Sequence, residues 1–208
     1  MKHWLGLALI GILVGCLPAL PIRTRMDIIP TILEPDTCSD LVCRNEDYQI
    51  TFLPLTNGSK GIEFVIQNTG KNPILILWDE SAYIDLNGQS SRIIHHGVRF
   101  SERDAPQAPS TIAPGTSFRE EAIPAANVNY ISANTGWQLR PLFYSGTGIY
   151  SLPIENPQTM TKLVQGKKIG LYLMIKVGEE KQPQKFTLQL EVKERPALRP
   201  AASPSPYP

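Results

Sequence analysis

The chain has 208 residues, with 19 prolines, 15 glycines and 20 basic against 19 acidic side chains. That length supports one compact domain with tails and leaves little room for a two-lobed enzyme. The near-neutral charge, with no Lys/Arg cluster free of intervening acids, excludes nucleic acid as a partner, and a content of 42% hydrophobic residues excludes an acidic disordered chain.

Met1-Lys2-His3 is a short basic start, and Trp4 to Val14 is an apolar run without charge, which together read as the first two regions of an export signal. Leu13-Val14-Gly15-Cys16 closes the run. This segment resembles the lipobox of bacterial lipoproteins: an aliphatic residue stands three positions before the cysteine and a small residue directly before it. The resemblance implies that residues 1–15 are a signal peptide, that the Cys16 thiol carries a diacylglyceryl group, and that a dedicated peptidase cuts before it, after which the new amine is often acylated with palmitate or a similar chain. Two or three buried chains at about 0.8 kcal/mol per CH₂ hold a soluble domain on a bilayer, where one chain is marginal. In enterobacterial lipoproteins an Asp after the cysteine retains the protein at the inner membrane; Leu17 stands there, so the same resemblance leans toward the outer membrane in a host that has two.

Two other readings use the same residues. Trp4 to Ile22 carries no charge and approaches the roughly 20 residues of an uncleaved span. Pro18 and Pro21 oppose it, since an interior proline costs a helix about 3 kcal/mol, and Arg23 and Arg25 offset the orienting charge of Lys2. The remaining reading is an ordinary cleaved signal. All three place the domain in the cell envelope, outside the cytoplasm.

Removing the signal peptide takes away Lys2 and leaves basic and acidic side chains equal in number, so electrostatic steering has little to work with. It also leaves Cys38 and Cys43, an even count in an oxidising compartment, and the expectation is a disulfide. With four residues between them, such a bridge pins a local loop and contributes about 2 kcal/mol. Two reduced thiols are the alternative; a redox or zinc CxxC pair requires closer spacing. From Leu17 to about Asp47 the prolines at 18, 21, 30 and 35 interrupt a stretch without sustained period, so residues 16–47 read as the lipidated cysteine and a tether. Residues 195–208, with Pro196, Pro200, Pro204, Pro206 and Pro208 among Ala and Ser, read as a disordered or polyproline II tail, a proline-rich ligand motif being the alternative.

Between these ends, over 48–194, the period is two. Ile62, Phe64 and Ile66 alternate with Glu63, Val65 and Gln67; Leu171, Leu173, Ile175 and Val177 form one dry face and Phe186, Leu188, Leu190 and Val192 another. The last two runs flank a polar loop over Gly178 to Gln184 and predict an antiparallel hairpin. Further strands are predicted at Tyr48 to Leu53, Pro73 to Trp78, Ser90 to Phe100 and Thr116 to Ile123, the second of these central because it is apolar on both faces. Asn57-Gly58, Asn68-Thr69-Gly70, Asn87-Gly88 and Pro114-Gly115 supply turns, the last suited to type II. Pro157 to Val164 reads as one or two helical turns, with Gly166 just past its end.

Seven or eight short antiparallel strands make an all-β fold, and the arrangement suggests a two-sheet sandwich. The run Phe64-Val65-Ile66-Gln67-Asn68, a turn, a Pro-led apolar strand and then Ile112-Ala113-Pro114-Gly115 is similar to immunoglobulin-like domains of bacterial envelope proteins, although the intersheet cysteine pair of antibody domains is absent, no Cys lying beyond position 43. Trp78-Asp79-Glu80-Ser81-Ala82-Tyr83 through Ile93-Ile94-His95-His96-Gly97-Val98 is similar to uncharacterised bacterial envelope lipoproteins and implies no activity.

Residues that carry chemistry are sparse. His95 and His96 are the only histidines after processing, and beside Asp79, Glu80 and Ser81 they bring a metal site or hydrolysis into view. Neighbours on a strand face opposite ways, so without a bulge the pair cannot share one metal. Parity puts His96 with Ile94, Val98 and Phe100 as a packing residue and turns His95 the other way. Ser81 lacks the glycine-flanked elbow of a hydrolase nucleophile, Asp79, Glu80, Asp85 and Asn87 lack the alternation of a calcium loop, and Gly146-Thr147-Gly148 lacks a strand-to-helix unit for phosphate. No catalytic residue, metal or cofactor is assigned. The stretch from Asn127 to Leu152 instead concentrates Tyr130, Trp137, Phe143, Tyr144 and Tyr150 without a clean period. Aromatics on loops give contact area at low entropic cost, and these five are the predicted binding surface; the alternative is that they cap one end of the sandwich. The resulting expectation is a non-catalytic binding or assembly module on a lipid tether, with an envelope protein or glycan as partner. A metal-handling protein using His95 or His96, and a small hydrolase built on Ser81 or Ser145, are the alternatives.

Overall fold

The computed structural model describes residues 26–145 and 152–194. In chain order the strands are β1 (Met26–Glu34), β2 (Cys38–Ser39), β3 (Val42–Arg44), β4 (Tyr48–Phe52), β5 (Leu55–Thr56), β6 (Ile62–Asn68), β7 (Ile74–Ile76), β8 (Ala82–Ile84) and β9 (Ser90–Ile94). They continue with β10 (Ser110–Ile112), β11 (Ser117–Pro124), β12 (Val128–Ser132), β13 (Gly136–Leu139), β14 (Tyr144–Ser145) and β15 (Leu152–Pro153), then helix α1 (Pro157–Val164), β16 (Lys168–Val177) and β17 (Glu180–Glu194).

The fold is mostly antiparallel strand. A large sheet runs β2-β3-β4-β6-β11-β9-β8-β16-β17-β1-β5, with β7 on β16 beyond β8 and β10 outside β7. Its two wings meet where β11 changes partner, from β6 up to Ala122 to β9 at Ile123. The sheet curls, because each strand has one dry face that must be covered: Ile50 and Phe52 on β4, Ile62, Phe64 and Ile66 on β6, Leu171, Leu173 and Ile175 on β16, and Phe186, Leu188 and Leu190 on β17 are all buried. Phe52 of one wing meets Phe186 of the other edge-on, 5.0 Å between ring centres. At about 1.5–3 kcal/mol per fully buried side chain, this shared core is the main source of stability. Gly61, entering β6, is required by close approach, since a Cβ there would lie 2.4 Å from the Ala122 carbonyl oxygen.

The predicted hairpin is present with a tighter connection. β16 and β17 pair from Lys168↔Gln189 to Val177↔Glu180, and the turn is Gly178-Glu179, with Gly178 at φ +58°. Pro183, assigned to a loop in the sequence, lies inside β17 opposite Met174. Met174 spends its N–H on Ser81 Oγ and its carbonyl on the Leu77 N–H, so no bond from position 183 is needed. The central strand is present as β7, paired on both sides, but it ends in a 3-10 turn over Trp78–Glu80 that buries Trp78 completely.

Part of the stretch read from the sequence as a tether is strand. Met26–Glu34 is a full strand held between β17 and, at Asp27 and Ile28, β5, with Met26 and Ile28 in the core. Its period is hidden because Ile29 and Leu33 are apolar on the opposite face and because Pro30 reads as a breaker. Pro30 sits opposite Leu190, whose own N–H and carbonyl bond Lys167 and Gly166, so the missing N–H is again not required. Cys38 and Cys43 form a disulfide across the β2–β3 turn. The strand predicted to reach Phe100 stops at Ile94, where His96 and Gly97 turn the chain, Gly97 at φ +94°.

Candidate functional site

The predicted aromatic surface divides into two places. The first is a groove at one end of the sheet. Its wall is α1, which starts with Asn156 accepting from the Thr159 N–H at 2.8 Å and Pro157 in the first turn, and is followed by Gly166 at φ +71°. The helix buries Met160 and Val164 and leaves Lys162 and Leu163 outward. Opposite it, β14 and β15 form a two-residue ribbon, Tyr144↔Pro153 and Ser145↔Leu152. The cavity between them is about 510 Å³, with Leu142, Phe143 and Ile154 in its floor and Tyr144, Lys162 and Lys167 at its rim. Phe143 is buried and Tyr144, the next residue, is exposed. Tyr144, Leu152 and Leu163 are three of the four large exposed hydrophobic side chains among the described residues, Leu152 at 69%. Such a size falls within the 300–1,000 Å³ or so of small-ligand sites.

The second place is the β12–β13 hairpin. Tyr130 and Trp137 face each other across it, edge to face at 5.4 Å, and the Arg103 guanidinium lies 5.3 Å from the Trp137 ring centre. Arg103 also donates to the Val128 carbonyl, so this cation is fixed by the hairpin it covers. Beneath lies a separate apolar cluster of Ile94, Ile123, Ala125 and Val128. Tyr130 is 53% exposed, the largest aromatic face offered to solvent among the described residues. Tyr150 and the Gly146-Thr147-Gly148 stretch lie outside the described residues, as does Cys16.

The histidines occupy a different recess, about 520 Å³, with Glu63, Ser110, Phe118, Arg119, Glu120 and Glu121 around it. His95, not His96, is the packed one: its ring stacks on Trp78 at 4.9 Å and 21°, while His96 is exposed. The parity argument fails because the strand ends before either histidine. His95 Nδ1 lies 2.9 Å from the His96 carbonyl, a geometry in which this nitrogen carries the proton and donates. The Glu120 carboxylate is buried, accepting the His96 N–H at 2.7 Å and the Glu121 N–H at 2.9 Å, and lies 3.7 Å from His95 Nδ1. Burial pushes the neighbouring Glu121 carboxyl above its ordinary range. Among the described residues no group of three His, Cys, Asp or Glu side chains is arranged to hold a metal ion.

The remaining candidates are committed separately. Asp79 pairs with Arg92 and accepts the Gln107 N–H; Glu80 pairs with Lys181 at 2.6 Å; Asp85 accepts the Asn87 and Gln89 N–H groups within its own turn. These acids do not converge on one point. Ser81 is buried, donating to the Leu77 carbonyl at 2.8 Å and accepting from Met174, so its hydroxyl stitches β7 to β16 across the 3-10 turn. Ser145 is exposed in β14. Sequence reasoning missed Leu163 and Lys162, because a helix of one or two turns carries too short a period to show which side chains face outward. Among the described residues no helix is long and apolar enough to cross a membrane. Comparison of the chain with models of protein families, with curated proteins and with solved structures finds no match.

Proposed function

We propose that the chain is an envelope lipoprotein, anchored through Cys16, whose immunoglobulin-like β domain serves as a non-catalytic binding or assembly module. The observation that carries this reading is the Tyr130–Trp137–Arg103 hairpin: a rigid pair of aromatics, a cation held over one of them, and a broad exposed ring. Aromatic and arginine side chains of this kind dominate recognition surfaces because they cover much area with few rotamers to fix. Chemistry-bearing groups elsewhere support the same reading, since Ser81, Glu120, Asp79 and Glu80 are each engaged by backbone or opposite charge. The partner is an envelope protein or a glycan, and the outer membrane is the seat in a host that has two.

The test is crosslinking of the lipidated full chain in intact envelopes, comparing the wild type with Tyr130→Ala and Trp137→Ala. Loss of a defined crosslinked species in both variants, with thermal stability changed by no more than the loss of the Tyr130–Trp137 contact, is the expected result. An unchanged set of crosslinked species removes the hairpin from the account.

A further inference from the structure

Resting on that anchored reading, we infer that the groove end of the domain is its membrane-facing end and docks on the surface of an anionic bilayer. The argument begins with where the anchored chain enters. Met26 accepts from the Asn57 N–H, and the Asn57 side-chain amide donates to the Ile154 carbonyl at 3.1 Å, so strand entry and groove floor are tied by one residue. On the other side, Met26 pairs with Glu194, and β17 leading to it bonds Lys167 and Gln165 beside α1. Entry, helix and groove therefore share one end. From Cys16 to Met26 the chain spans at most about 33–36 Å, whatever its conformation. That is close enough to hold this end against the headgroups.

The surface there fits that neighbour. Leu163 and Tyr144 are exposed in the groove wall and Leu152 on the ribbon beside it, and Lys162 and Lys167 stand at the rim, exposed. Among the described residues, Asp85 accepts two backbone N–H groups within its turn, Glu191 pairs with Lys193, and Asp27 and Glu155 have partners of their own. Apolar side chains ringed by lysines partition into the headgroup region of anionic membranes. Among the described residues, the opposite end of β16 carries no large exposed hydrophobic side chain. There Gly178 bonds the Pro73 carbonyl beside Lys71, roughly 33 Å from Lys168 along the strand.

The experiment uses the lipidated full chain reconstituted in vesicles of phosphatidylglycerol and phosphatidylcholine, or of phosphatidylcholine alone. Lysines are acetylated with a water-soluble reagent and read by mass spectrometry. In anionic vesicles Lys162 and Lys167 are expected to react at least threefold more slowly than Lys71 and Lys181. The difference disappears in phosphatidylcholine, in 0.5 M salt, and in Leu163→Asp, a surface change that leaves the core intact. Equal reactivity in both vesicles, from protein that floats with both, overturns the docking and leaves the anchor standing. Failure to float with either overturns both. Protection that appears only in native envelopes, and not in anionic vesicles, assigns the patch to a protein and overturns the bilayer.

Discussion

The groove beside α1 and the recess around His95 enclose almost the same volume, about 510 and 520 Å³, yet they are built on opposite principles. In the recess the polar groups are spoken for: Glu120 takes two backbone N–H groups, His95 lies flat on Trp78, and Trp78 donates to Ser110 Oγ at 2.9 Å. In the groove the charged groups stand at the rim and the apolar ones in the floor, with Leu163 and Tyr144 facing outward. Buried polar groups with partners belong to the scaffold, whereas exposed apolar side chains with lysines at the rim leave apolar surface uncovered.

Stability measurements separate the two. Trp78→Ala removes a fully buried ring beneath His95 and is expected to lower unfolding free energy by about 3–5 kcal/mol in urea denaturation. Glu120→Ala leaves the His96 and Glu121 N–H groups without their acceptor and is expected to cost about 1–3 kcal/mol. If Glu120→Ala is neutral, the recess is not structural and the contrast fails. Within the groove the same logic divides neighbours: Phe143→Ala is expected to cost about 3 kcal/mol or more, and Tyr144→Ala about 1 kcal/mol, the loss of the Arg140 guanidinium over its ring included.

Much of the scaffold is legible in the sequence, and the losses have physical causes. The alternations at 62–66, 171–177 and 186–192, the Pro157–Val164 helix with its leading proline and Gly166 past its end, and the Pro114-Gly115 turn with Gly115 at φ +74° are all local signals, and local signals survive. What misleads is proline. Pro30 and Pro183 look like breakers, but whether a strand tolerates proline depends on whether the partner residue turns its own N–H and carbonyl elsewhere, which Leu190 and Met174 do. That is a property of the neighbouring strand and is absent from the local sequence. The aromatic cluster is legible as a group, but not its division between hairpin and groove, because Phe143 and Tyr144 are adjacent and differ only in which side of the ribbon meets the core.

Alkaline titration gives a smaller, pH-resolved test of how dry the shared core is. Burial pushes the Tyr48 phenol up to about 12, and Tyr83 is raised by burial as well. A raised folded value means that stability is intact below about pH 10, where both states hold the proton, and is lost as pH climbs from 10 toward about 12, where only the unfolded chain releases it. Between pH 9 and pH 11 the wild type is expected to lose on the order of 1 kcal/mol more than Tyr48→Phe. Equal losses would show that water reaches the Tyr48 hydroxyl. Leu163→Asp is expected to cost about 1 kcal/mol, since the side chain is half exposed but an acid in the last helical turn opposes the helix dipole.

The claim on which placement and role both depend is the fate of Cys16. Intact-mass and N-terminal peptide spectrometry of the protein from its native membrane addresses it directly. The expected product begins at Cys16 and carries a thioether-linked diacylglyceryl group. A chain that retains Met1, or one cleaved elsewhere and free of lipid, would contradict the account.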